Sequence, residues 1–263
     1  MQRLISCVIL VVSSFGMPSM LPAQPLIVDP QAEAWNRYVV LGERDISIAK
    51  AVQLDGHAHA GGNLDLAKDV VITGDASAGG RVQGQGVDGV VGAVVNFADP
   101  VILPVLPSDA ELRSMADRVL TGNQVWDDVV IDDVLFVDGV VEIRGALNGQ
   151  GTLIVSRDLR IKKGPATLES ETALSIIALG KLDIEKDREL RAFVRAARDV
   201  SIKKNARFEG VLIADGKIDV DKDSILTFLA PPDPDSELVP QNKSQINWRL
   251  GLVTSNQGWL TRK

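Results

Sequence analysis

Apolar residues recur as i, i+2 pairs every six residues along much of this chain, beginning with Ile46 and Ile48, Val52 and Leu54, then Ala58 and Ala60. Alternation of this kind marks a short strand with one buried face, and the Gly or small polar residues between pairs mark corners. Three pairs fill 18 residues, and the pattern then repeats. DISIAKAVQLDGHAHAGG (45–62) aligns without a gap with NLDLAKDVVITGDASAGG (63–80), identical at eight positions. The spacing predicts one triangular coil per repeat. A lone coil cannot bury its inner face, whereas coils stacked at about 4.8 Å pair each backbone group with the coils above and below.

The same beat returns at Leu135/Val137, Val141/Ile143, Leu153/Val155 and Leu159/Ile161. It appears again at Leu182/Ile184, Val194/Ala196, Val200/Ile202, Ala206/Phe208, Leu212/Ala214 and Ile218/Val220. Between Ile161 and Leu182 the phase slips, so that coil must carry extra residues at a corner or bulge. Arg44-Asp45, Arg157-Asp158 and Arg198-Asp199, with Gly180-Lys181 and Gly216-Lys217 in equivalent places, set the same register independently.

The rest reads as attachments to an all-β fold. Asp29-Pro30 opens a helical stretch reaching Trp35 and Tyr38, expected to cap the first coil. Ser108-Asp109-Ala110-Glu111 is a capping box, and Leu112, Met115, Ala116 and Val119 form one apolar helical stripe. The expected organisation is an N-terminal cap at 24–44, a first solenoid block at 45–98 and a Pro-rich loop with helical insertion at 99–125. A second block at 126–230 and a Pro- and Asp-rich tail at 231–263 follow, the tail docking on the last coil or on a partner.

Residues 1–23 carry Arg3, an apolar run from Leu4 to Val12 and a small-residue site ending at Ala23. This is the order of an export signal, too short to span a membrane, so a periplasmic, cell-surface or extracellular location is expected. Cys7, the one cysteine, precedes most of the apolar run, the wrong order for a lipoprotein box, and cleavage removes it along with any disulfide or thiol chemistry. Loss of Arg3, with no acid in the segment, takes the formal charge from −7 to −8, which argues against nucleic-acid binding. Aromatics make up 4% of the chain, so the core must consist of many small aliphatic contacts.

Gly151-Thr152-Leu153-Ile154-Val155, Asp158-Leu159-Arg160-Ile161 and Val211-Leu212-Ile213-Ala214-Asp215-Gly216-Lys217-Ile218-Asp219-Val220 resemble the repeats of bacterial β-helical proteins. The bactofilin-like polymer-forming proteins and the β-helical regions of pilus-associated proteins share such phrases. The resemblance covers roughly 39–92 and 129–228. It implies a right-handed parallel β-helix with a structural or assembly role, from which the export signal and the helical insertion depart.

Lysines follow the core pair in several coils, and stacking would align Lys163, Lys186, Lys204 and Lys222, with Lys50 and Lys68, into a strip for an anionic ligand. The same residues, followed by Asp, Asn or Gly, also read as solvated corners. His57 and His59 are expected to face outward together with Asp75 and Ser77 above them, three candidate metal ligands that equally read as surface histidines. Asp127-Asp128, Asp132-Asp133 and Asp219/Asp221/Asp223 supply carboxylate pairs but no groove, so no catalytic residue is assigned. Large residues at both inward positions and the export signal weigh against the left-handed acyltransferase helices, and Asn242-Lys243-Ser244 matters only in a eukaryotic secretory pathway. No cofactor or metal is expected. The leading reading is a non-catalytic exported scaffold of the envelope or surface, self-associating or binding an envelope protein. The alternative is a polysaccharide-binding or polysaccharide-cleaving β-helix, with a groove lined by Lys or Arg, Asp and an aromatic platform.

Overall fold

A computed structural model describes residues 37–103, 105–163 and 173–230. The export signal, the stretch 29–35 and the tail 231–263 lie outside them. The first block winds through β1 (Tyr38–Gly42), β2 (Ile46–Ile48), β3 (Gln53–Asp55), β4 (His57–Ala60) and β5 (Leu64–Leu66). It continues with β6 (Val71–Ile72), β7 (Ala76–Ala78), β8 (Val82–Gln83) and β9 (Val94–Asn96). A connector containing the helix α1 (Asp109–Ser114) leads to the second block. That block opens with β10 (Arg118–Thr121), β11 (Gln124–Trp126), β12 (Val129–Val130), β13 (Val134–Asp138), β14 (Val141–Ile143), β15 (Leu147–Asn148), β16 (Thr152–Val155) and β17 (Leu159–Ile161). It closes with β18 (Leu174–Ala178), β19 (Leu182–Ile184), β20 (Glu189–Ala196), β21 (Val200–Ile202), β22 (Arg207–Ala214), β23 (Ile218–Val220) and β24 (Ile225–Phe228).

The fold is a parallel β-solenoid. One face stacks ten strands in the order β10-β13-β16-β18-β20-β22-β1-β4-β7-β9, and a second stacks nine as β11-β14-β17-β19-β21-β23-β2-β5-β8. The third consists of shorter pieces, β12 with β15 and β24 with β3 and β6. Inward pairs from all three faces form one core, in which Leu64 lies over Ile46 and Val200 over Leu182 at the 18-residue spacing. Ile161 pairs instead with Ile184, so that coil carries five extra residues (23 − 18) where the phase slips. Arg188 occupies the inward corner position held elsewhere by Ala206, Ser224, Val52 and Val70. It reaches past the irregular coil to donate to the Gly145 carbonyl at 2.8 Å, and burial lowers its pKa.

Strand order does not follow chain order, which the repeat did not reveal. The first block sits on the end of the second, with Val40, Leu41 and Gly42 of β1 paired to Leu212, Ile213 and Ala214 of β22. Likewise β2 pairs β23 and β3 pairs β24. The first half of β22, Arg207–Gly210, pairs instead with Ile225–Phe228 of β24. The two described ends of the chain therefore share one coil. Tyr38 does not belong to a cap over an open edge, because β22 already covers the lower side of β1. Gly56 has φ +139 at this joint, and a Cβ there would press on the Phe228 Cβ.

Because the chain enters the stack in the middle, the connector has to run from the top coil to the bottom one. The capping box forms as expected, Ser108 accepting from the Glu111 N–H and Glu111 from the Ser108 N–H. The helix ends at Ser114, short of the predicted stripe, because the Asp117 N–H donates to the Val134 carbonyl and Val119 enters β10. The second block thus begins at Arg118. Leu112 buries itself on Val134, Phe136, Ile154 and Ile177, while Leu103 packs over the joint on Tyr38, Leu41, Phe193, Val211 and Ile213. The connector is a strap over the outer side of the ten-stranded sheet. Truncating Ile213→Ala at the joint is expected to cost roughly 2–4 kcal/mol. Urea unfolding followed by far-UV circular dichroism should stay a single transition, whereas two separated transitions would show that the joint does not couple the blocks.

Candidate functional site

The nine-stranded sheet is the face that no described element covers. Its outward column reads Val125, Glu142, Arg160, Asp183, Ser201, Asp219, Ser47, Asp65 and Gln83, one residue per coil. Each is exposed or half-buried, because alternation sends only the flanking residues inward. Beside it Ala49 and Ala67 stand where other coils place Arg144, Lys162, Glu185, Lys203 and Asp221, leaving a shallow trough of about 620 Å³. Asp65, Asp219, Asp221, Lys68 and Lys203 rim it, and no aromatic side chain lines it. The polysaccharide reading needed an aromatic platform, and this trough has none.

The six lysines lie at one corner of the stack. At that corner the residue after five of the lysines turns left-handed, at Ala51, Asp69, Asp187, Asn205 and Asp223, with φ between 56 and 61°. Wherever the next coil supplies Asp there, the lysine below pairs with it: Lys163 with Asp187 at 3.1 Å, Lys204 with Asp223 and Lys50 with Asp69 at 3.7 Å. Where it supplies Asn205 or Ala51, Lys186 and Lys222 form no ion pair among the described residues. Hydrogen bonds from Asn205 and Lys163 lower the Asp187 pKa. The column is therefore partly neutralised along its length, each exposed pair contributing about 0–1 kcal/mol. An L-residue in the left-handed region costs about 1–2 kcal/mol. Ala51→Gly should accordingly stabilise the fold by roughly 0.5–1 kcal/mol and raise the denaturation midpoint, and an unchanged midpoint would mean the corner is unstrained.

Four of the seven acids singled out in the sequence bond or pair at corners. Asp128 accepts from the Ala146 N–H at 2.6 Å, Asp221 from Lys222 at 2.7 Å, Asp133 pairs with Arg118, and Asp223 with Lys204. Asp127, Asp132 and Asp219 are exposed. The second register marker has the same cause: Asp45 accepts from Asn63, Asp158 from Lys181 and Asp199 from Lys217, each across one coil.

Register places Ser77 over His59, as expected, but the histidines do not face water together. His59 is 2% exposed, its Nδ1 lies 2.8 Å from the Ser77 Oγ, and the Tyr38 ring packs against both imidazoles. His57 accepts from the Asp75 N–H at 3.0 Å. Among the described residues no group of three or more His, Cys, Asp or Glu is arranged to hold a metal ion. The reason is that the outer side of the ten-stranded sheet is largely a covered surface. Its strands are apolar on both sides, as in Leu135-Phe136-Val137 and Leu153-Ile154-Val155, the one signal from which covering was legible.

Burial lowers the His59 pKa below its ordinary 6.5. The unfolded state then binds more protons, so stability is complete above about pH 6.5 and falls as pH drops through the depressed folded value. Between pH 7.5 and 5.5 the urea midpoint should fall, and His59→Phe should flatten that dependence. An equal fall in the variant would assign it to another group.

No family model and no curated protein matches this chain. Some solved structures align with it at low identity. An ice-binding protein from the Antarctic ascomycete Antarctomyces psychrotrophicus is 13% identical over 77% of this chain and 98% of its own, with a TM-score of 0.39. The DUF3494 domain of an ice-binding protein from Shewanella frigidimarina is 12% identical over 76% and 97%, with a TM-score of 0.41. An ice-binding protein from an Arctic yeast is 13% identical over 78% and 96%, with a TM-score of 0.37. Of the bactofilin and pilus resemblance, only the β-helical repeat is shown, by the stacked parallel strands themselves. At such identities and scores the likeness transfers no activity.

Proposed function

We propose that the chain is a non-catalytic exported rod of the cell envelope or surface, which lays its uncovered nine-stranded face on a partner surface. The supporting observation is the unequal covering of the two long sheets. A strap lies over the ten-stranded sheet, while the nine-stranded sheet offers one outward side chain about every 4.8 Å. Some of its polar groups are spent on neighbours: Glu142 pairs with Arg144 within one coil, and Lys162 with Glu185 and Gln83 with Asp65 across coils. A flat periodic face suits an extended partner better than a small molecule, which favours a concave site. The same periodicity suits a crystalline surface, ice included.

Ser47→Lys with Ser201→Lys raises bulky charges on the face without touching the core. Wild-type protein should remain in the host's envelope or surface fraction after a salt wash, and the double variant should be released with its circular dichroism unchanged. Equal retention of both would overturn the assignment to this face. Inhibition of ice growth by the wild type, lost in the variant, would keep the face and replace the envelope with ice.

A further inference from the structure

The two ends of the stack are built differently. At the lower end β10 carries Arg118, paired with Asp133, and the corner after β11 carries Asp127 and Asp128. Charge on an edge strand discourages pairing with other chains. At the upper end β9 is Val94-Val95-Asn96, exposed throughout and without a charge, between Val91 (75% exposed) and Phe97 (69%). Below it the core is closed by Val87 and Val90, from the 3-10 turn Val87–Gly89 and the residue after it. The ten-stranded face therefore stands one strand taller than the nine-stranded face, so β9 overhangs a closed end.

The backbone of β9 is half used. The Ala93 carbonyl accepts from the Ala76 N–H at 2.9 Å and the Phe97 N–H donates to the Gly80 carbonyl at 2.9 Å. Alternation then turns residues 93, 95 and 97 toward the coil beneath and leaves the N–H and C=O of Val94 and Asn96 pointing off the edge. We propose that this edge pairs antiparallel with the same edge of a second copy, about a two-fold axis through Val95, giving a dimer joined at its upper ends. Val94 faces Asn96 of the partner subunit, each giving its free N–H and C=O to the other, while Val95 meets its own symmetry mate. A head-to-tail joint is disfavoured by the overhang. With β10 of another copy seated on β9, its β11 would stand two levels above β8, leaving a strand's width unpaired. The dimer does not depend on the function proposed above.

Light scattering coupled to size-exclusion chromatography on the purified protein reads this directly. Mass should rise with concentration from one chain to two and stop there. Val94→Pro removes only the outward N–H, and Val95→Lys sets like charges face to face on the axis. Both should hold the monomer mass at concentrations where the wild type is dimeric, with unchanged melting temperatures, and if one variant unfolds the other decides. Val130→Lys, at the opposite end, should leave the dimer intact. A wild type that stays monomeric up to its solubility limit, a mass growing beyond two chains, or a dimer that survives Val94→Pro and Val95→Lys would each overturn the proposal.

Discussion

Every coil depends on the backbone hydrogen bonds to the coils above and below it, since its short strands have no partner within their own turn. That makes the joint between β22 and β1 the constraint on which the rest of the structure rests. It turns two blocks, each with an end of core to cover, into one stack with a continuous interior. The joint uses the same register as any other step of the solenoid, and only the sharing of one coil by β24 and β1 sets it apart.

Closing the joint dictates the connector. With both described ends of the chain at mid-stack, the link between blocks must travel from β9 to β10, and its apolar residues find the outer side of the ten-stranded sheet on the way. Leu103 lands on the joint and Leu112 on the lower coils. The strap therefore buries one face, while no described element covers the nine-stranded sheet, which is how asymmetry arises from a nearly regular repeat.

Charge follows the same axis. Lysines of one coil pair with aspartates of the next, and acidic side chains take the next coil's N–H at the corners, so these ionic groups act between levels. Individually these contacts are weak. Together they favour one vertical neighbour over a slipped one.

Much of the architecture is a property of the sequence alone. The i, i+2 pairs determine strands and inner face, the 18-residue period determines coil size, and the break after Ile161 marks the coil with extra residues. Ser108 and Glu111 determine where the helix starts. Which coil lies on which was decided only by tertiary structure, because every coil presents the same period and the same inward pairs, so Val40 suits Leu212 as well as it suits Ala58. For the same reason the fate of His59 was not legible. Its position opposite Ser77 follows from counting, but its burial depends on Tyr38 from another coil and on a sheet whose outer side is covered from a distance.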